Sequence, residues 1–401
     1  MRRIQIDDIA PGMRLARSLY YQYGGVMLAA GAALDERSIA RLREFGYRSL
    51  YIHDTDLDDV ICHDYIDEQA RQKITHHVTT LYDHLREETR NILDPADIAE
   101  ASGQELREKM EDRRFQRAFE RARVPDTFLE AVEKIMESIL SDREMALCVG
   151  TIKTVNTFLY DHSLEVAIHA AILAKHLGFP RGEIRDIVLG SMLHDIGHIF
   201  LPEDLVKRKT PPTESEMETL RQHTVLGYYL LKERSDISLL SAHVAYQHHE
   251  RQDGAGYPRG LTGRNRIIWK QEALGSGTIH RFAEVVAVPD FYDELTSDLP
   301  YRKAVPPDEA AQAVREAAGT GLNDEVVQAF LSYLPVFPIG TSVVVTTGKF
   351  AGWRGVVVGL DRSDLSRPQV RLLYDPTHRL KKPVNVNLLE DDETSVRADW
   401  K

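Results

Sequence analysis

The spacing of apolar positions divides the chain into four stretches. In residues 1–64, short apolar runs are punctuated by Pro11-Gly12 and Gly24-Gly25. Val26–Leu28 and Ser49–Ile52 read as strands and Leu34–Phe45 as a helix, giving a small α+β module with no concentration of catalytic residue types. Residues 65–148 are charged and mostly helical. Val78, Leu81 and Leu85 form one i, i+3, i+7 stripe, and Phe128, Val132, Ile135 and Ile139 form another; Asn91–Pro95 and Val124-Pro125 break the pattern. Helical stripes continue through 149–335. After Leu334-Pro335 the period changes to that of strands: Val343–Val345, Val356–Val358 and Val370–Leu373 alternate with Gly, Asp, Ser and Pro, which predicts a small barrel or curled sheet. The acidic run Glu390–Glu393 reads as the start of a frayed end.

With 401 residues, 43% of them apolar, the chain is long enough for several domains with real cores. A net charge of −12 argues against DNA as a partner, because phosphate binding needs a cation-rich surface. The stretch 341–386 runs the other way, with eight Lys/Arg against three Asp. That excess admits an RNA-binding barrel, but a module covering the preceding helices is the simpler expectation. No apolar run is long enough for a membrane helix, and the start, Met1–Met13, lacks the apolar core of an export signal. Two cysteines, Cys62 and Cys148, cannot build a disulfide framework or a thiolate zinc site, which suits a reducing cytoplasm.

The third stretch holds the candidate chemistry. Ten of the sixteen histidines fall between His162 and His280. His162 lies one turn before Val166 on the stripe that continues through Ala170, Leu173 and Leu177; a core-facing imidazole needs a partner for each ring nitrogen, and a metal ion is one solution. His169 shares the stripe and reads as a satisfied core histidine. His194 and Asp195 end the next helix, where a carboxylate with two oxygens is able to bridge two cations. Gly197 lets the chain leave that helix without a Cβ clash. Thr213 and Glu216 have capping-box spacing ahead of His223. His248-His249 stands before a Gly/Pro-rich loop, where adjacent imidazoles are free to diverge toward two ions. By contrast, His76-His77 sits within a helix, where neighbours point about 100° apart and rarely share an ion. Asp290 follows the apolar run Val285–Val288.

Taken in order, His194-Asp195, His248-His249-Glu250-Arg251, Asp253-Gly254, Gly256-Tyr257-Pro258, Asp290–Asp298 and Pro300–Lys303 resemble the HD-GYP subgroup of HD-domain phosphohydrolases, over about 149–335. Residues 1–64 resemble, less specifically, a module often found ahead of such domains. The resemblance implies an all-α bundle at 149–335, with the α+β module at 1–64, a helical connector at 65–148 and a β-rich domain at 336–401. It implies a phosphodiesterase that opens cyclic di-GMP to pGpG or GMP through a metal-bridging hydroxide. The ligands it implies are His162, His194, Asp195, His223, His248, His249 and Asp290, with Asp195 bridging two divalent ions, Fe or Mn. Asp195 and His198 would act in catalysis, and His198, Arg302, Lys303 and Tyr257 would contact substrate.

This chain departs from the family pattern at several positions. Phe158 replaces a glutamate that supplies a third metal, so two ions are expected. His198 replaces a lysine, and Leu299 an arginine, both phosphate contacts in the family. The connection Ile267–Thr278 is longer than the family's. Trp269 there offers a ring to stack on guanine, but a packed surface loop is the favoured reading. Arg251 and Asp253 read as a local pair that supports the Gly-Tyr-Pro turn. The alternative to an enzyme is a metal-containing receptor that senses cyclic di-GMP or docks a diguanylate cyclase, with weak turnover or none. The charged helices of 65–148 offer a surface for homodimerisation, although their periodicity is too broken for a coiled coil.

Overall fold

The computed structural model describes residues 1–21, 25–47, 49–60, 68–89, 103–113, 125–141, 158–208, 210–232, 234–269, 277–299 and 301–399. Cys62, Cys148, the Asn91–Pro95 break, Lys270–Ser276, Pro300 and the expected domain limits at 64/65 and 148/149 lie outside them, as does the side chain of Phe158.

At the N-terminus, β1 (Arg2–Gln5), β2 (Leu19–Tyr20), β3 (Val26–Leu28), α1 (Glu36–Glu44) and β4 (Ser49–Ile52) make two small antiparallel ribbons, β1 with β4 and β2 with β3, around one helix. The α1 helix starts where Asp35 accepts from the Ser38 amide while Ser38 returns a hydrogen bond, a closed capping box. It ends at Gly46, whose φ of +86° is open to glycine at no steric cost. Ile39 and Leu42 seal it against Leu15, Leu34 and Leu50.

The central helices share one large core. They are α2 (Glu68–Thr89), α3 (Gly103–Glu111), α4 (Asp126–Ser141), α5 (Phe158–His176), α6 (Arg181–Leu193), the short α7 (Glu203–Val206), α8 (Glu214–Arg221), α9 (His223–Leu231), α10 (Leu239–Gln247), α11 (Arg281–Thr296), α12 (Pro307–Ala317) and α13 (Asp324–Tyr333). A 3₁₀ turn, Ile196–Phe200, joins α6 to α7. Both predicted stripes are buried: Val78, Leu81 and Leu85 of α2 and Phe128, Val132, Ile135 and Ile139 of α4 belong to the same cluster as α5 and α6. A buried ion pair, Arg71 with Glu165, ties α2 to α5. The predicted Thr213–Glu216 capping box opens α8. None of these helices is long and apolar enough to cross a membrane, among the described residues.

The C-terminal stretch folds as a five-stranded antiparallel sheet, β5 (Ser342–Val345), β6 (Arg354–Asp361), β7 (Asp364–Tyr374), β8 (Arg379–Asn387) and β9 (Val396–Ala398), in the order β8-β7-β6-β5-β9. Two expectations are corrected here. The chain does not fray after Glu393: Val396–Ala398 pairs with Val343–Val345. The sheet also does more than cover the preceding helices, for it docks on the N-terminal module. Leu57 packs with Val356 and Leu373, Arg371 donates to both oxygens of Asp59, and Arg379 reaches Asp54 and Asp56 at 2.7 and 2.6 Å. One of its contacts with the helices is at β9, where the Ala398 amide donates to Asp308 of α12 at 3.1 Å. Three of the basic side chains that suggested nucleic acid, Arg367, Arg371 and Arg379, are thus engaged in the protein's own packing.

Candidate metal centre

Five helix ends and one helix middle bring the seven predicted ligands into one volume. His162 lies in the second turn of α5, His194 caps α6, and Asp195 opens the 3₁₀ turn. His223 is the first residue of α9, His248 caps α10 with His249 next, and Asp290 sits midway along α11. Helix ends suit this task because their side chains project past the last turn and are not held along one face. Gly197 makes the approach possible. A Cβ there would lie 1.9 Å from the His223 carbonyl oxygen and 2.8 Å from the Gly227 nitrogen. Room for α9, rather than exit from a helix, is what requires glycine at 197, since its φ is not positive.

The side chains form two groups. In the first, His162 Nε2 and His194 Nε2 are 3.2 Å apart, and Asp290 Oδ1 lies 3.0 and 3.4 Å from them. In the second, His223 Nε2 and His248 Nε2 are 3.2 Å apart, with His249 beside them. Asp195 stands between the groups. Its Oδ2 is 3.8 Å from His162 Nε2 and 3.5 Å from His194 Nε2, while its Oδ1 is 3.4 Å from His223 Nε2 and 3.8 Å from His248 Nε2. Asp290 spans the groups more loosely, its Oδ2 lying 3.9 Å from His249 Nδ1.

The donor set fits divalent cations. Four Nδ1 atoms each face an oxygen: His162 faces Asp293 Oδ2 at 2.7 Å, His194 the Ser191 carbonyl at 2.6 Å, His223 the Leu220 carbonyl at 2.8 Å and His248 the Val244 carbonyl at 3.1 Å. Each Nδ1 therefore carries a proton, which leaves each Nε2, facing its neighbour, to take a second proton or a cation. Two lone pairs 3.2 Å apart in a buried site repel unless a proton or a cation stands between them. Charge distribution agrees. Burial favours a neutral Asp195, but His194, His198, His223 and His162 outweigh it and hold the carboxyl well below its usual range. Burial disfavours a charged His162, yet Asp290 and Asp293 raise its pKa well above the ordinary value. Burial, helped by His249 and His194, keeps His248 well below. A cation entering the first group therefore displaces protons. We expect loading to release protons into a weakly buffered solution, and apparent affinity to fall about tenfold per pH unit for each proton displaced as pH drops. A pH-independent affinity between pH 5.5 and 7.5 would contradict this.

The other predicted residues are placed less uniformly. His198 is within the cage: its Nε2 is 3.6 Å from Asp195 Oδ1, and its ring stacks on that of His223. Burial and the neighbouring His223 bring its pKa down to about 3, so it is uncharged at neutral pH. Tyr257 is at the site, its ring 4.8 Å from that of His249. Burial, with Glu294 and Asp290, keeps its hydroxyl protonated by raising its pKa well above the usual value. Arg302 donates to the Glu294 carbonyl at 2.6 Å, near the end of α11, and Lys303 is exposed. His169 packs against Tyr292 and Phe330 as a core histidine. Arg251 and Asp253 form the expected local pair, at 2.7 and 3.1 Å. Trp269 packs on Phe179, ring centroids 4.7 Å apart, just beyond the C-terminal end of α5. That is roughly 25 Å along the helix from His162, so the packed loop reading holds at Trp269 and guanine stacking at the cage does not.

Three residues were not singled out from the sequence. Asp293 orients His162, and Ser297 in turn donates to it at 3.3 Å. Glu294 is one turn beyond Asp290 on α11, where burial and the Asp290 carboxylate push its pKa up. Arg221 lies over the Tyr257 ring at 5.5 Å. The i+3 and i+4 spacing from Asp290 was the available signal for the first two. Nothing local marks Arg221, because its contact depends on α8 meeting the loop after α10.

The HD domain family matches residues 134–327. Among curated relatives, the chain is 30% identical to the cyclic di-GMP phosphodiesterase PA4108 of Pseudomonas aeruginosa, over 69% of this chain and 61% of that protein. It is 35% identical to a cyclic di-GMP phosphodiesterase of Thermotoga maritima, over 42% of this chain and 43% of the relative. It is 29% identical to the 3′3′-cGAMP-specific phosphodiesterase 1 of Vibrio cholerae, over 49% and 41%. The chain thus spans between about two fifths and three fifths of the length of these relatives. Residues 134–327 match the HD domain family and bring His-Asp and Gly-Tyr-Pro motifs onto one buried cage, so this part of the chain is an HD-type domain related to the HD-GYP cyclic di-GMP phosphodiesterases.

Proposed function

We propose that the chain is a metal-dependent phosphodiesterase that cleaves cyclic di-GMP to pGpG, GMP or both. The observation that carries this reading is Asp195, whose two oxygens face two separate imidazole groups at 3.4–3.8 Å. His162, His194 and Asp290 would hold one cation and His223, His248 and His249 the other, with Asp195 shared. Mixed imidazole and carboxylate donors suit Fe or Mn. When bound, such a pair supplies positive charge to a phosphodiester and makes water acidic enough to attack near neutral pH. Relatives named for cyclic di-GMP and for 3′3′-cGAMP support a cyclic dinucleotide as substrate.

The chain's own residues set the rest. Asp293, Ser191, Leu220 and Val244 fix the imidazole tautomers, so the cage is assembled before substrate arrives. Tyr257, protonated and beside His249, is a donor for a phosphate oxygen. An uncharged His198 cannot take the part of a cation, so positive charge for the phosphates falls to Arg302 and Lys303. That thin clamp favours the second reading, a cyclic di-GMP receptor of low turnover, since Leu299 is apolar and Arg302 is engaged at the Glu294 carbonyl.

The experiment is anaerobic incubation of Fe- or Mn-loaded protein with cyclic di-GMP and, in parallel, 3′3′-cGAMP, followed by nucleotide separation. Product from cyclic di-GMP supports the enzyme. Micromolar binding without product supports the receptor, and product from 3′3′-cGAMP alone reassigns the substrate.

A further inference from the structure

Resting on the reading of a two-cation cage, we propose that His198 is itself a metal ligand, the fourth imidazole on the cation shared by His223, His248 and His249. Its place in the cage follows from the backbone. The His198 amide donates to the Asp195 carbonyl at 3.0 Å, one 3₁₀ turn, and this brings side chain 198 back over side chain 195. Gly197 presses the same turn against the start of α9, beside His223.

The consequence is a close parallel arrangement. The His198 and His223 rings stack with centroids 4.4 Å apart and planes within 8°. Their Nε2 atoms point at one oxygen, Asp195 Oδ1, from 3.6 and 3.4 Å. Together Asp195, His198 and His223 meet the spacing of a metal-holding group. At 3.6 Å the His198–Asp195 approach is too long for a hydrogen bond, and His198 Nδ1 is buried with no hydrogen-bond partner among the described residues. The His198 Nε2 likewise makes no hydrogen bond among the described residues, and a cation held by Nε2 of His198, Nε2 of His223 and Asp195 Oδ1 would be its partner. His223 has a single free lone pair, since its Nδ1 donates to Leu220, so this cation and the one facing His248 and His249 are the same ion.

The two positions then differ in chemistry. One is rich in nitrogen: His198, His223, His248 and His249 with one oxygen of Asp195. The other, His162, His194, Asp195 and Asp290, has equal nitrogen and oxygen. The nitrogen-rich position should prefer Fe, Co or Zn over Mn, and it has fewer coordination positions left for water or substrate.

The test is Co(II) titration of the full-length apo chain, following bound metal by equilibrium dialysis and the visible ligand-field spectrum, for wild type, His198→Gln and His198→Lys. Circular dichroism and thermal melting identify a variant that has not folded, and the other then carries the result. We expect two bound ions in each folded protein. Affinity for one of them should weaken at least 10- to 100-fold in both variants, with a changed spectrum for that ion only. Two ions in the wild type, with affinity and spectrum unaltered by substitution, would overturn the assignment of His198 and leave the cage intact. Fewer than two ions in the wild type would overturn the two-cation reading, and this inference with it.

Discussion

Asp195→Asn is expected to reduce tightly held metal from two ions to one or none and to lower phosphodiesterase turnover by about a thousandfold or more, with the fold retained. The substitution is nearly isosteric, so packing is not the cause. A carboxylate offers lone pairs on two oxygens, and here each oxygen faces a different imidazole group. An amide keeps one oxygen and replaces the other with N–H donors, which repel a cation. The surrounding imidazoles also lose the charge that balances them: His194, His198, His223 and His162 all act on this carboxylate. Elemental analysis beside a turnover assay checks the expectation. Two retained ions would show that Asp195 does not bridge, and wild-type turnover would remove the cage from the chemistry altogether.

Gly197→Ala is expected to destabilise the protein by about 3 kcal/mol or more and to weaken the second cation position selectively. The added Cβ would lie 1.9 Å from the His223 carbonyl oxygen, 2.7 Å from the His223 carbonyl carbon and 2.8 Å from the Gly227 nitrogen. All three are backbone atoms, so no rotamer change relieves the clash; the 3₁₀ turn and α9 must separate. His198 and His223 ride on those two elements, and their shared approach to Asp195 Oδ1 would open. Gly182→Ala is the control. Nothing lies within 4 Å of its added Cβ near the start of α6, and alanine is the better helix former. Denaturant unfolding and metal analysis of both variants test this: a Gly197→Ala protein as stable and as metal-rich as Gly182→Ala would refute the close-approach argument.

Much of the architecture was readable because its signals are local. The stripes on α2 and α4 announce buried helices, the Thr213 cap marks a helix start, and the alternation after Leu334 marks strands. The cage residues were legible through the resemblance that the short motifs carry, most of them at helix ends. What escaped detection involves partners distant in sequence. Asp293 orients His162 from 131 residues away, and Arg379 meets Asp54 across 325. The misjudged tail has the same origin: Val396–Ala398 is too short to read as a strand alone and becomes one only by pairing with β5.

Residue types, periods and motif order were sufficient to establish a helical centre flanked by two smaller α+β and β parts, and to name the imidazoles and carboxylates that converge. Tertiary structure alone decided which oxygen of Asp195 faces which imidazoles, that His198 turns inward beside His223, and that the C-terminal sheet grips the N-terminal module. The division has a physical basis. Helix and strand preferences are set within a few residues, whereas the direction of a side chain at a helix end depends on how closely a second backbone approaches, and at Gly197 that distance leaves no room for a single methyl group.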